Sequence, residues 1–300
     1  MGSVPTWAWQ VQGPPDAPTV LLVHGWMATA ALNWYGALEF LGRSFHAIAP
    51  DLRGHGRHGC GSPPFSVEGC ADDLATLIRE LSLGQAIVVG YSMGGAIAQV
   101  LAKRHRDVVR GLVLCATAAS FAKRVKLRPA VTAAGKLGGS AARQWPEASR
   151  RFLNWRIARH DIKVERQGRT GKYGGLAAQV FDGAGEGVVP QRVHDWKSRE
   201  YMQWALAERS LSDLGAFIEA GAALNAYDSS RWLPQLDVPT AVIITTGDEV
   251  VTRRRQEKMA ALIPKARRYP VEGGHDAVVA RPDIFLPILR DACIALTGHS

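Results

Sequence analysis

The chain has 300 residues, 47% hydrophobic and 21% charged, which excludes a globally disordered chain because the apolar content is enough to offset chain entropy. Lys and Arg number 36 against 27 Asp and Glu, a formal charge of +9, so an anionic partner is worth seeking. No run of about 18 apolar residues occurs, and no transmembrane helix is expected.

Met1–Gln10 carries neither a basic n-region nor an apolar h-region, so no secretory leader is expected and the expected location is the cytoplasm. Strand-length apolar runs follow at Trp7–Val11, Thr19–Val23 and Phe45–Ala49. Val20-Leu21-Leu22-Val23 is apolar without alternation, the pattern of a strand covered on both faces. Val67–Leu81 then places Leu74, Leu77, Ile78 and Leu81 on one helical stripe, with Ser66 as its cap. Ala86–Val89, Ala96–Lys103 and Gly111–Cys115 read as strand, helix and strand. The alternation stops near Ala118 and resumes after Leu233, with Ala241–Thr245 and Arg268–Val271 as strands and Arg254–Ile263 and Ile284–Leu296 as helices. The interval between is rich in Ala, Gly, Arg and Trp, with helical periodicity at Leu211–Leu224.

This order predicts an α/β protein with a mainly parallel central sheet of about seven or eight strands, covered by helices on both faces. Residues 1–117 and 234–300 form the expected core domain. Residues 118–233 form an inserted, mostly helical cap, or lid. That insertion holds 19 Lys and Arg against 11 Asp and Glu, so it carries +8 of the +9 net charge. Anionic substrates or a weak association with an anionic lipid surface would suit it, and Arg150-Arg151-Phe152-Leu153-Asn154-Trp155-Arg156 mixes the cations and apolar groups that such a surface takes. No nucleic-acid motif accompanies the charge, so no nucleic-acid partner is expected, and the oligomeric state stays open. The tryptophans Trp145, Trp155, Trp196, Trp204 and Trp232 would favour apolar or aromatic acyl groups if one or two of them line the pocket. Cys60, Cys70, Cys115 and Cys293 form no CxxC pair, so no metal site is expected, and a Cys60–Cys70 bridge stays open.

Gly90-Tyr91-Ser92-Met93-Gly94 is a G-x-S-x-G pattern between a buried strand and a helix. A strand that turns at once into a helix strains the turning residue and crowds its flanks. Gly90, Gly94 and Gly95 supply the space, and Ser92 is presented at the helix N-terminus as a nucleophile. His275, between Gly274 and Asp276 after the last strand, is the expected base. Asp248 at the exit of the preceding strand is the expected orienting acid, with Glu249 as its competitor one residue on. The backbone N–H groups of Trp26 and Met93 can converge on a developing oxyanion, and His24 is read as a residue that shapes the Trp26 loop.

These segments, together with Asp51-Leu52-Arg53-Gly54-His55-Gly56, resemble the α/β-hydrolase superfamily, and within it bacterial serine esterases and lipases. The resemblance spans about 7–117 and 234–297. It implies the chain order Ser…Asp…His, a substrate-covering cap, ester hydrolysis through an acyl-enzyme, and no cofactor. Acyl transfer, C–C bond hydrolysis and perhydrolysis run on the same triad in similar proteins, and some relatives bind ligand without catalysis. Two departures stand out: Arg57-His58 replaces the usual serine after the Arg-Gly-His-Gly turn, and Thr245 replaces the usual glycine three residues before the acid.

Overall fold

The computed structural model describes residues 9–58, 63–122, 128–145, 147–149, 151–152 and 199–298. The strands are β1 (Trp9–Gln12), β2 (Thr19–Val23), β3 (His46–Pro50), β4 (Ala86–Tyr91), β5 (Val109–Cys115), β6 (Thr240–Thr245) and β7 (Arg267–Val271). They form one seven-stranded sheet in the order β1-β3-β2-β4-β5-β6-β7. β1 is antiparallel to β3, and the other pairings are parallel.

The helices are α1 (Ala30–Leu41), α2 (Val67–Glu80), α3 (Met93–Arg104), α4 (Arg128–Gln144), α5 (Arg199–Ser210), α6 (Leu214–Ala226), α7 (Arg253–Leu262), α8 (Ala277–Ala280) and α9 (Pro282–Thr297). The central strands are buried on both faces because alternate side chains feed two different cores. Leu21 and Val23 of β2 join Leu74, Ile97 and Met259 of α2, α3 and α7, whereas Val20 and Leu22 join Trp34 of α1 and Phe285 of α9. Ser66 caps α2 as expected, its Oγ accepting from Gly69 N at 3.0 Å.

Helix α1 has no counterpart among the elements expected from sequence. Its first turn is held by two side chains: Thr29 Oγ1 accepts from Leu32 N, and Asp51 Oδ1 accepts from Ala30 N at 2.8 Å. Asp51 Oδ2 also accepts from Arg57 N, which ties the turn after β3 to the start of α1.

Helices α4, α5 and α6 lie within residues 118–233. α4 lies along α6, where Gly135 meets Ala222, and Arg143 ion-pairs with Asp213 at 3.1 Å and Glu219 at 3.0 Å. α6 is anchored to the core through Glu219 Oε2, which accepts from Phe65 N at 2.7 Å. The turn before it is anchored through Ser212 Oγ, which accepts from Gly56 N at 2.9 Å. On α5, Glu208 is 1% exposed and pairs with Arg57 at 3.0 Å, so the arginine that stands in place of the usual serine has its partner on α5.

Cys70, Cys115 and Cys293 are free and buried, and burial pushes their thiols up; Cys60 lies outside the described residues. Most of the Arg150–Arg156 segment lies outside them as well. Among the described residues, no helix is long and apolar enough to cross a membrane.

Candidate active site

β4 passes into α3 through Ser92, whose backbone sits at φ 53° and ψ −113°. That conformation is strained for a residue with a Cβ and persists because its surroundings hold it. Ser92 N donates to Cys115 O at 2.9 Å, and Thr117 Oγ1 donates to Ser92 O at 2.7 Å. The flanks leave no room for side chains. A Cβ on Gly90 would lie 2.5 Å from Gly94 O, one on Gly94 2.7 Å from His24 O, and one on Gly95 2.5 Å from Thr117 Cβ.

The structure brings Ser92, His275 and Asp248 together from three loops. With the proton on Nδ1, His275 donates to Asp248 Oδ2 at 2.8 Å, and its Nε2 accepts from Ser92 Oγ at 2.9 Å. Tyr91 Oη donates to the His275 carbonyl at 2.8 Å and so pins the histidine loop to the end of β4. Glu249 is exposed and makes no such contact.

Asp248 is enclosed by donors. Its Oδ1 accepts from Val250 N and Val251 N, both at 2.8 Å. Its Oδ2 accepts from Thr245 Oγ1 at 2.9 Å and from Gln256 Nε2 at 3.2 Å, besides His275. Burial pushes this carboxyl up, but the bonds from His275, Val251 N and Thr245 outweigh it and hold the group below the ordinary carboxylate value. Gln256, wholly buried in α7, is oriented by accepting from Thr245 N at 3.0 Å and donating to Val251 O at 2.7 Å. Thr245 therefore does with a hydroxyl what a glycine at that position cannot do.

The His24-Gly25-Trp26 loop borders the elbow, since a Cβ on Gly25 would lie 3.5 Å from Ser92 Cβ. Gly25 N donates to Asn33 Oδ1 at 2.9 Å, which fixes the loop to α1. Met93 is the first residue of α3, so its N–H has no acceptor within the helix. His24 is fully buried; its Nε2 accepts from Leu52 N at 3.0 Å and its Nδ1–H donates to Gly25 O at 2.9 Å. Burial lowers its pKa to about 4, so the ring is neutral and structural.

A cavity of about 820 Å³ opens onto Ser92 and His275, with apolar walls from Trp26, Phe121, Val131, Leu224, Val250 and Val251. The tryptophan in this lining comes from the loop after β2, not from residues 118–233. Of the described tryptophans within residues 118–233, Trp204 packs against Tyr35 and Tyr201, Trp145 is 63% exposed, and Trp232 lines a separate hollow of about 490 Å³ beneath Lys103. Trp155 and Trp196 lie outside the described residues. Among the described residues, no group of three His, Cys, Asp or Glu could hold a metal ion.

Sequence reasoning did not single out Tyr91, Thr117, Thr245 or Gln256 as site residues. Thr245 carried a signal, as the departure from glycine three residues before Asp248; Gln256 carried none, because its partners are set by the packing of α7 on β6.

A family model for the alpha/beta hydrolase fold matches residues 18–160. The chain is 27% identical over 278 residues to a poly(3-hydroxyalkanoate) depolymerase of Ectopseudomonas oleovorans, covering 92% of this chain and 84% of the relative. It is 26% identical over 278 residues to a magnesium-chelatase 30 kDa subunit of Rhodobacter capsulatus, covering 88% and 82%. The solved enol-lactonase of Burkholderia xenovorans LB400 shares the fold with a TM-score of 0.69 at 22% identity, over 96% of each chain. With its strand order and the strand–Ser92–helix turn, the chain has the α/β-hydrolase fold, and over residues 18–160 it is similar to that family.

Proposed function

We propose that this chain is a serine hydrolase that cleaves carboxylic esters through Ser92, His275 and Asp248. The observation that carries the reading is the continuous line of hydrogen bonds Ser92 Oγ–His275 Nε2 and His275 Nδ1–Asp248 Oδ2, at 2.9 and 2.8 Å, beside a largely apolar cavity. Ser92 Oγ attacks the acyl carbonyl while its proton passes to His275 Nε2. Asp248, ionised and fully hydrogen-bonded, keeps the other ring proton on Nδ1 and stabilises the imidazolium. The N–H groups of Trp26 and Met93 receive the oxyanion. The leaving alcohol takes the proton from His275, and water then attacks the acyl-enzyme with the same histidine as base.

Residues 118–233 act in this reading as the cap that covers the site and controls access. What supports it is that Val131, Gly221, Leu224 and Asn225, on α4 and α6, share one cavity lining with Ser92. The likeness to a depolymerase, which by its name acts on a polyester, favours ester hydrolysis over C–C cleavage or perhydrolysis.

A fluorophosphonate probe should label Ser92, and nitrophenyl esters of graded chain length should be turned over by the wild type and not by Ser92→Ala. Asp248→Ala should lower kcat by about 10⁴ while leaving KM nearly unchanged, and Glu249→Ala should have a small effect. Labelling and turnover that survive Ser92→Ala would remove the proposal, and a larger loss from Glu249→Ala would move the acid role to that residue.

A further inference from the structure

Arg255 stands in the first turn of α7, beside Gln256, and faces the same cavity as Ser92 and His275. Its hydrogen bonds go to main-chain carbonyl oxygens: Nη1 donates to Phe121 O at 3.0 Å and Nη2 to Ala122 O at 3.1 Å. These acceptors are neutral. They fix the plane of the guanidinium and leave its charge in place, and among the described residues Nε–H and the second hydrogen of each Nη have no acceptor. Among the described residues no carboxylate pairs with it. Glu249 lines the same cavity, but it is exposed and forms no ion pair with Arg255.

Most of the remaining lining is apolar. A fixed cation is worth more to an anion on such a wall than in open water, because little solvent competes for it. The planar fork of donors matches a carboxylate, which it can hold through two parallel bonds. Glu249 at the same cavity repels a doubly charged group more than a singly charged one. The volume of about 820 Å³ leaves room for a substrate with a second functional group beyond the ester.

We propose that Arg255 selects esters that carry a free carboxylate at a distance from the scissile bond. This rests on the serine-hydrolase reading and adds a substrate class to it.

Two pairs of esters test it. The first is the mono-4-nitrophenyl ester of glutaric acid against 4-nitrophenyl pentanoate, which places the acid on the acyl side. The second is the pentanoate ester of 4-hydroxybenzoic acid against that of 4-methylphenol, which places it on the alcohol side. In the wild type, kcat/KM should favour the acidic member of at least one pair. In Arg255→Met the ratio of acidic to neutral substrate should fall about tenfold to a hundredfold, chiefly through KM, with Arg255→Lys in between. In the wild type, raising salt above ~0.1 M should lower kcat/KM for the preferred acidic ester more than for its neutral partner, a measurement that needs no variant to fold.

A ratio that stays within twofold in both pairs, or that is unmoved in Arg255→Met, overturns the inference while neutral-ester turnover keeps the hydrolase reading. Equal loss on both members of a pair shows that Arg255 only staples Phe121 and Ala122, and overturns it too. Absence of all ester turnover and of Ser92 labelling overturns both.

Discussion

The indole Nε1–H of Trp26 donates to the main-chain carbonyl of Phe217 at 2.9 Å. One bond thus joins the loop after β2 to helix α6. Gly221 lies one turn further on and faces the same ring; a Cβ there would stand 3.0 Å from Trp26 Cζ2. The loop proposed to supply an oxyanion donor is therefore positioned in part by α6. Trp26→Phe keeps the backbone N–H and loses the bond, so kcat should fall about three- to tenfold with KM little changed. Gly221→Val should push the ring away and reduce kcat further. Steady-state kinetics on one neutral ester decides it, and an unchanged kcat in both variants would separate the loop from α6.

Thr245 and Gln256 should act on catalysis through Asp248. Without the Thr245 donor, the bonds from His275 and Val251 N offset less of the burial, and the Asp248 carboxyl rises toward its ordinary value. Thr245→Val should therefore move the acid limb of the kcat–pH profile to higher pH, and Thr245→Ser should restore it. Gln256→Leu should lower kcat by about tenfold to a hundredfold, since the carboxylate loses a donor and Thr245 loses its anchor. An acid limb that stays put in Thr245→Val would show that the hydroxyl is not tuning the acid.

Arg57 and Glu208 connect the turn after β3 to α5. Glu208 is nearly inaccessible, while the Arg57 side chain is 40% exposed. Thr29 Oγ1 donates to the same carboxylate at 3.3 Å. Arg57→Ala would leave a buried carboxylate short of its cation, and unfolding free energy should drop by about 2–3 kcal/mol, below the usual loss for a fully buried pair because water reaches the arginine. Glu208→Gln in the same background should recover part of that loss. Urea unfolding of the single and double variants measures it, and additive losses would mean the two side chains do not interact.

Stability should fall in mild acid because of two buried histidines. Burial lowers His24 to about 4, and burial together with the neighbouring His24 lowers His55 to about 3. The unfolded chain takes up protons on these groups below about pH 6.5 while the folded chain does not, so stability rises with pH across that window. The contribution is intact above about pH 6.5 and is lost progressively toward pH 4 and 3, by several kcal/mol in total. His55 packs between Phe65 and Phe217 in tilted contacts, with ring centroids at 5.7 and 5.0 Å, so His55→Phe should fit and flatten the pH dependence. Urea midpoints at pH 5 and pH 7.5 provide the comparison; equal slopes in wild type and variant would absolve His55.

Much of the sheet was legible because its cause is local. β2 and β4 are continuous apolar runs, and a strand buried on both faces needs no more than that. α1 was not legible: its sequence Ala-Ala-Leu-Asn-Trp-Tyr-Gly-Ala-Leu-Glu-Phe-Leu is apolar nearly all round, so no stripe marks it, and the carboxylate holding its first turn comes from Asp51. The helical run read over Leu211–Leu224 begins later, at Leu214, because Asp213 Oδ1 accepts from Gly215 N as a cap and Ser212 serves Gly56.

The same division holds at the site. Glycines around Ser92, and the placing of Asp248 and His275 at strand exits, are statements about neighbouring residues, and the sequence alone determined them. The environment of those groups depends on segments brought together from far apart. Gln256 reaches Asp248 from another element, Trp26 meets Phe217 across 191 positions, and Arg57 meets Glu208 across 151. Only the tertiary structure decided these pairs, and with them which tryptophan and which arginine face the nucleophile. Backbone strain and burial period act over a few residues and leave a local trace in the chain, whereas a hydrogen bond between distant side chains forms only after packing has brought them within reach.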